Sequence, residues 1–170
     1  IEHPRVAAVT LTGSTPAGRK VAALAGSLLK KTVLELGGSD PYVVLEDADL
    51  DLAVAASVTG RILNTGQSCI AAKRFIVPET VRDDFETRLV DLMQRQRVGD
   101  PMLEEIEVGP MARADLRDEL HDQVVRSLQA GARCLLGGDG PEGPGAVSPP
   151  TVWTDGPLGL AGAAAAPGTS

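Results

Sequence analysis

The sequence predicts an α/β layered fold with parallel connections. Three observations carry that expectation. Short β-branched apolar runs alternate with segments whose apolar positions recur every three or four residues, and glycine or proline clusters separate them. The chain has 170 residues with 43% hydrophobic and 23% charged content, enough for a sizeable core. Only 2% of the residues are aromatic, so that core is expected to rest on Ala, Val and Leu.

Taken in order, "RVAAVTLT" at residues 5–12 reads as a strand and "GSTPAG" at 13–18 as a turn. "RKVAALAGSLLKK" then reads as an amphipathic helix. "TVLELGG" supplies the next apolar run and completes a β-α-β unit, and "YVVLE" is another short strand. "DADLDLAVAASVTGRIL" predicts a helix with aspartates at its positive end, finishing near Asn64 and Gly66. "RFIVP" is a strand closed by proline, and "ETVRDDFETRLVDLMQRQ" a helix with Val81, Phe85, Leu89, Leu92 and Met93 on one face. A Gly- and Pro-rich loop follows, then the helix "DLRDELHDQVVRSLQAGA" stopped at Gly131, then the strand "RCLLGG". From Gly137 onward the chain is turn-rich, and "LGLAGAAAAPGTS" has low complexity, which predicts disorder at the end.

A net charge of -7 offers no broad basic surface, so neither nucleic acid nor an anionic membrane is an expected partner. No apolar run approaches the ~20 residues of a membrane helix, and the first residues lack signal-peptide character, so a cytoplasmic location is expected. Two cysteines, Cys69 and Cys134, are too few for a disulfide scaffold or a zinc site. His3 and His121 have no spaced partners and read as surface residues, so no metal site is expected. Asp47, Asp49 and Asp51 resemble a calcium loop only briefly: position six would be Leu52 and position twelve Val58, which leaves helix capping as the account.

Four features could carry chemistry. The turn at residues 13–18 lies between strand and helix, where backbone N–H groups favour an anion. It also reads as a plain connection with Thr15 as N-cap and Pro16 in the first turn. Glu35 places a carboxylate between leucines at the end of a buried-looking strand, as a general base in a cleft or as a surface-facing side chain. Cys134 reads as a small buried hydrophobe. Cys69 follows Gly-Gln-Ser and precedes the basic pair Lys73 and Arg74, features that favour a thiolate, although a structural cysteine near a turn fits the same pattern.

Read together, "LTGSTPAG", "LELGG" and "NTGQSC" resemble, in order and spacing, the core motifs of the NAD(P)-dependent aldehyde dehydrogenase superfamily. The resemblance runs from about residue 6 to residue 152, takes in "DADLDLA", "AAKRFIV" and "VGDP", and looks closest to bacterial succinate-semialdehyde dehydrogenases. It implies an aldehyde dehydrogenase-like α/β fold: residues 1–38 as the end of a Rossmann-type NAD(P)-binding domain, 39–153 as the front of an α/β catalytic domain, and 154–170 as a disordered tail outside the family. It also implies Cys69 as nucleophile and Glu35 as general base. Gly13, Ser14, Thr15, Gly18 and Leu36 would meet the cofactor, NAD or NADP, and the substrate would be a small aldehyde such as succinate semialdehyde.

The family's ribose-binding Lys, its oxyanion-hole Asn and its downstream Glu have no counterpart among these residues. The expectation is therefore a fragment with uncovered apolar edges and little activity by itself. The family forms homo-oligomers, and the resemblance leaves open whether this stretch holds the assembly elements. A different expectation is an inactive relic, or a noncatalytic module that pairs with a full-length dehydrogenase subunit. A thiol enzyme without nucleotide would leave Glu35 and the glycine turn without a role.

Overall fold

The computed structural model describes residues 1–140 and 145–156. Elements alternate as the apolar pattern requires. Strand β1 (Ala8–Thr12) leads into helix α1 (Thr15–Ser27) and strand β2 (Lys31–Glu35). Then come β3 (Pro41–Val43), helix α2 (Leu50–Ile62), a 3-10 turn (Leu63–Gly66), β4 (Arg74–Ile76) and helix α3 (Glu79–Gln94). Helix α4 (Ala114–Gln129), β5 (Arg133–Leu136) and β6 (Val152–Thr154) close the described chain.

β1 and β2 pair in parallel, Ala8 opposite Lys31 and Thr12 opposite Glu35, with α1 as the crossover, so the β-α-β unit stands as expected. β3 and β4 also pair in parallel, with Tyr42 opposite Phe75, and α2 makes that crossover. The third pair departs from the expected parallel pattern: β5 and β6 run antiparallel, Cys134 opposite Trp153. Gly137 and Gly138, both at positive φ, reverse the chain directly after β5.

The core lies between α2, α3 and the β3–β4 pair. Val44, Val54, Val58, Phe85, Leu89 and Met93 form one buried cluster, with Phe75 packed against it. Three of the five apolar positions expected on α3 are fully buried, Phe85, Leu89 and Met93. Ring contacts from Tyr42 to Phe75 and from Phe75 to Phe85, each 6.0 Å between centroids, bring three of the four aromatics together in this one place.

Three burial expectations fail. β2 is not a buried strand: Val33 is 61% exposed and Glu35 is exposed, because β1 is its one strand neighbour among the described residues. Cys134 is exposed rather than buried, and β5 has β6 as its one strand neighbour among the described residues. Its Sγ lies 3.1 Å from the Gly137 carbonyl oxygen. His121, expected at the surface, is half-buried beside Gly140. Of the tail expected to be disordered, Thr154 ends β6 and Asp155 pairs with Arg82 and Arg133; residues 157–170 lie outside the described residues.

No helix among the described residues is long and apolar enough to cross a membrane.

Candidate functional site

The turn at residues 13–18 is built by its hydrogen bonds. Ser14, not Thr15, is the N-cap of α1: its hydroxyl accepts the Ala17 N–H at 3.3 Å. The shift by one residue follows from backbone shape, because Ser14 has the extended conformation of a cap (φ -70, ψ 151) and Thr15 is already helical. Pro16 adds no N–H, so the Thr15 N–H heads the open end of the helix, together with the positive end of its dipole.

This turn is tied to the end of β2. The Gly13 N–H donates to the Glu35 carbonyl oxygen at 2.9 Å. Leu36 lies over Gly18 so closely that a β-carbon there would stand 2.6 Å from its Cδ2. A glycine at 18 is thus required by close approach, with α1 resting on the strand end. The Glu35 side chain itself is exposed, which removes the desolvation cost that a buried carboxylate would carry.

The cysteine loop begins where α2 ends. Asn64 (φ 51), Thr65 (φ 57) and Gly66 (φ 74) take three left-handed conformations in succession. For Asn and Gly this costs little, but for a β-branched threonine it is strained. Arg61 packs against Gly66 and donates to the carbonyls of Gly66 and Ala72, each at 3.4 Å. Burial lowers the pKa of its guanidinium. Gln67 fixes the far side by accepting the Ala112 N–H at 2.8 Å. Cys69 emerges from this loop half-buried, with a free thiol.

The strand end and the cysteine loop meet at the main chain. A β-carbon on Gly38 would lie 3.4 Å from the Cys69 carbonyl oxygen. The Lys73 ammonium donates to the carbonyls of Gly38 at 2.8 Å, Ser68 at 3.1 Å and Cys69 at 3.4 Å. Arg74 donates through Nε and Nη2 to the Ser39 carbonyl at 3.1 and 2.6 Å. Burial lowers the Lys73 pKa first and Arg61 lowers it further, while Cys69 and Asp40 act in the opposite direction.

Residues 13–18, Glu35 to Gly38 and Cys69 are therefore joined in one chain of main-chain contacts. Among the described residues no hydrogen bond links the Glu35 carboxylate to the Cys69 thiol, and no cluster of ligating side chains could hold a metal ion. Sequence reasoning noted Lys73 and Arg74 only as nearby charge and missed Arg61 altogether. Their acceptors are carbonyls, which carry no mark in the sequence.

Beside this junction, a cavity of about 530 Å³ opens between β4, α3, α4 and the β5–β6 pair, with Arg61, Lys73 and Arg74 on its wall.

Comparisons with known proteins agree on one family. The model of the aldehyde dehydrogenase family matches residues 1–158. An NAD(P)+ succinate semialdehyde dehydrogenase of Escherichia coli (strain K12) is 57% identical over 152 residues, 89% of this chain and 33% of its own length. An NADP+ succinate-semialdehyde dehydrogenase of Mycobacterium leprae is 53% identical over 91% of this chain and 34% of its own length. Among solved structures, a lactaldehyde dehydrogenase from Escherichia coli superposes with a TM-score of 0.90 at 40% identity, over 94% of this chain and 34% of that one. A 3,6-anhydro-L-galactose dehydrogenase in complex with NAP superposes equally well, TM-score 0.90 at 34% identity, over 95% and 35%. The chain spans about a third of the length of the curated relatives it matches.

Proposed function

The chain belongs to the aldehyde dehydrogenase family, and from that premise we propose that it carries the nucleophile and the general base of an NAD(P)-dependent oxidation of an aldehyde, with succinate semialdehyde as substrate. The observation that carries this reading is the junction itself, in which the Gly38 carbonyl, the Cys69 carbonyl and the Lys73 ammonium bring the end of β2 to the cysteine loop. The substrate follows from the names of the relatives at 53–57% identity.

In this reading Cys69 Sγ, as thiolate, forms a bond to the aldehyde carbon and gives a thiohemiacetal, whose oxygen is met by the Cys69 backbone N–H. NAD or NADP, held at the turn of residues 13–18, would supply the hydride acceptor, and loss of hydride from the thiohemiacetal would leave a thioester on Cys69. Glu35 takes a proton from water as that water attacks the thioester, releasing the carboxylate product and the Cys69 thiolate. An exposed Glu35 has the solvent access that this hydrolytic step needs.

The turn fits a pyrophosphate-bearing group. The N–H of Thr15 and the positive helix end stand open, Gly13 and Ser14 form the mouth, and Gly18 lets Leu36 close against the helix. These residues would hold the cofactor, and Leu36 would face its nicotinamide end.

A second reading is a noncatalytic module that pairs with a full-length dehydrogenase subunit. The exposed apolar strand residues favour it: Val33 is 61% exposed, Val43 61% and Ile76 54%. One experiment separates the two. Residues 1–152 replace the matched segment of the E. coli relative, and NADH formation from succinate semialdehyde is followed beside a Cys69→Ala control. Cys69-dependent turnover supports the catalytic reading, and a folded but inactive chimera rejects it. The isolated chain is mixed with the complete E. coli relative in parallel. Its co-purification with a complete subunit would support the pairing module.

A further inference from the structure

The basic pair Lys73 and Arg74 follows the cysteine in sequence, yet it makes no ion pair within 4 Å among the described residues. Each side chain spends its donors on main-chain carbonyls. Lys73 reaches three of them, Gly38, Ser68 and Cys69, at 2.8 to 3.4 Å, and Arg74 takes the next residue of the same loop, Ser39. Residue 38 is where the cofactor-binding part was expected to end. The two side chains therefore fasten the β1–α1–β2 unit to the unit that carries the cysteine.

We propose that Lys73 is a positioning residue for Cys69: its ammonium pins the carbonyl of the nucleophile and that of Ser68 to the carbonyl of Gly38, fixing the thiol relative to the end of β2. This role rests on Cys69 being the nucleophile. Three features make Lys73 the member of the pair that matters. It is the one bonded to the cysteine residue itself, and its ammonium offers three donors, which three carbonyls take up. A positive charge is also held at the carbonyl of the residue whose thiol must become a thiolate, and proximity of Lys⁺ activates cysteines. Burial and the neighbouring Arg61 guanidinium lower the Lys73 pKa, and Cys69 and Asp40 offset only part of that. The strained run Asn64 to Gly66 enters the loop from one side, and the Lys73 clamp closes it from the other. A loop under backbone strain needs such a restraint to hold one geometry.

The test needs no turnover, so it stands apart from the test of the dehydrogenase reading. The intact chain is treated with iodoacetamide, and the alkylation rates of Cys69 and Cys134 are read separately by peptide mass spectrometry. Cys134, exposed on β5, is the internal reference. Lys73→Met is expected to slow Cys69 by about fivefold or more and leave Cys134 unchanged. Lys73→Arg, which keeps charge and donors, should recover most of the rate. Lys73→Gln keeps donors without charge and should recover little. Should Lys73→Met unfold the chain, shown by circular dichroism, the Arg and Gln variants decide.

An unchanged Cys69 rate in Lys73→Met, or equal rates in the Arg and Gln variants, overturns the proposal. Absent turnover in the chimera with the alkylation pattern intact removes the dehydrogenase reading and leaves the clamp. Turnover with no effect of Lys73 on Cys69 does the reverse.

Discussion

Leu36 rests on the α-carbon of Gly18, with its Cδ2 at 2.6 Å from where a β-carbon would stand. One leucine at the end of β2 thereby holds the first turn of α1 against the strand, and the turn at residues 13–18 takes its place from that contact. The same strand end accepts the Gly13 N–H through the Glu35 carbonyl.

Gly18→Ala tests the close approach. Alanine would gain roughly 0.5–1 kcal/mol as a better helix residue. It must also push aside a leucine in contact with its backbone, an overpacking that costs about 1–3 kcal/mol. The second effect wins, so a net loss of about 1 kcal/mol is expected in urea unfolding, with weaker nucleotide binding in the same variant. An alanine variant as stable as the parent would show that Leu36 moves freely.

Glu35→Gln should leave stability within about 0.5 kcal/mol, since the side chain is exposed and makes no ion pair among the described residues. In the chimera with the E. coli relative it should allow acylation and stop hydrolysis. Intact mass would then show Cys69 retaining the acyl group after the first turnover. A variant that hydrolyses as fast as the parent removes Glu35 from the role of base.

Thr65→Gly should stabilise the chain. A β-branched residue at φ 57 carries strain of about 1–3 kcal/mol, and glycine adds about 0.5–1 kcal/mol of unfolded-state entropy. The balance favours glycine by about 1 kcal/mol in thermal or urea unfolding. Cys69 alkylation in this variant reports whether the strain serves the thiol: a relaxed loop should react more slowly, although it is more stable.

Acid should loosen the β5–β6 pair from α3. The hydrogen bond from Arg82 holds the Asp155 carboxyl below the usual aspartate range, opposed by burial and aided by a lesser hydrogen bond from Arg133. A depressed carboxylate adds stability that is present above its unfolded pKa of about 3.9 and is lost as pH falls from there through the folded value. Fluorescence of Trp153, the single tryptophan, lies on β6 and should report the change. Asp155→Asn should lower the melting temperature at pH 7, and the gap to the parent should close as pH falls below about 4. A gap that stays constant with pH would mean the carboxylate contributes nothing.

Much of this was legible in the chain. The β-α-β unit was readable because a period-three-and-four stripe between two β-branched runs admits one economical packing, and Phe85, Leu89 and Met93 were found from their spacing alone. Cys134 and β2 depart from expectation for a shared reason. An apolar run signals that a strand wants cover, whereas burial depends on which neighbours arrive, and β2 and β5 each have one strand neighbour among the described residues. The sequence does not separate Ser14 from Thr15 as the cap, because Ser and Thr side by side offer the same hydroxyl and only backbone angles choose between them.

The sequence by itself determined the order of elements, the motifs that carry the family resemblance, and the identity of Cys69 and Glu35 as candidates. These are local properties, written in periodicity and in three short motifs. Only the tertiary structure decided that Glu35 stands exposed, that Leu36 sits on Gly18, and that the loop after β2 meets the cysteine loop through Lys73 and Arg74. Those contacts join residues far apart in sequence, 35 positions between Gly38 and Lys73, through carbonyl oxygens that every residue possesses. Their geometry comes from how the chain packs and not from which side chains it bears.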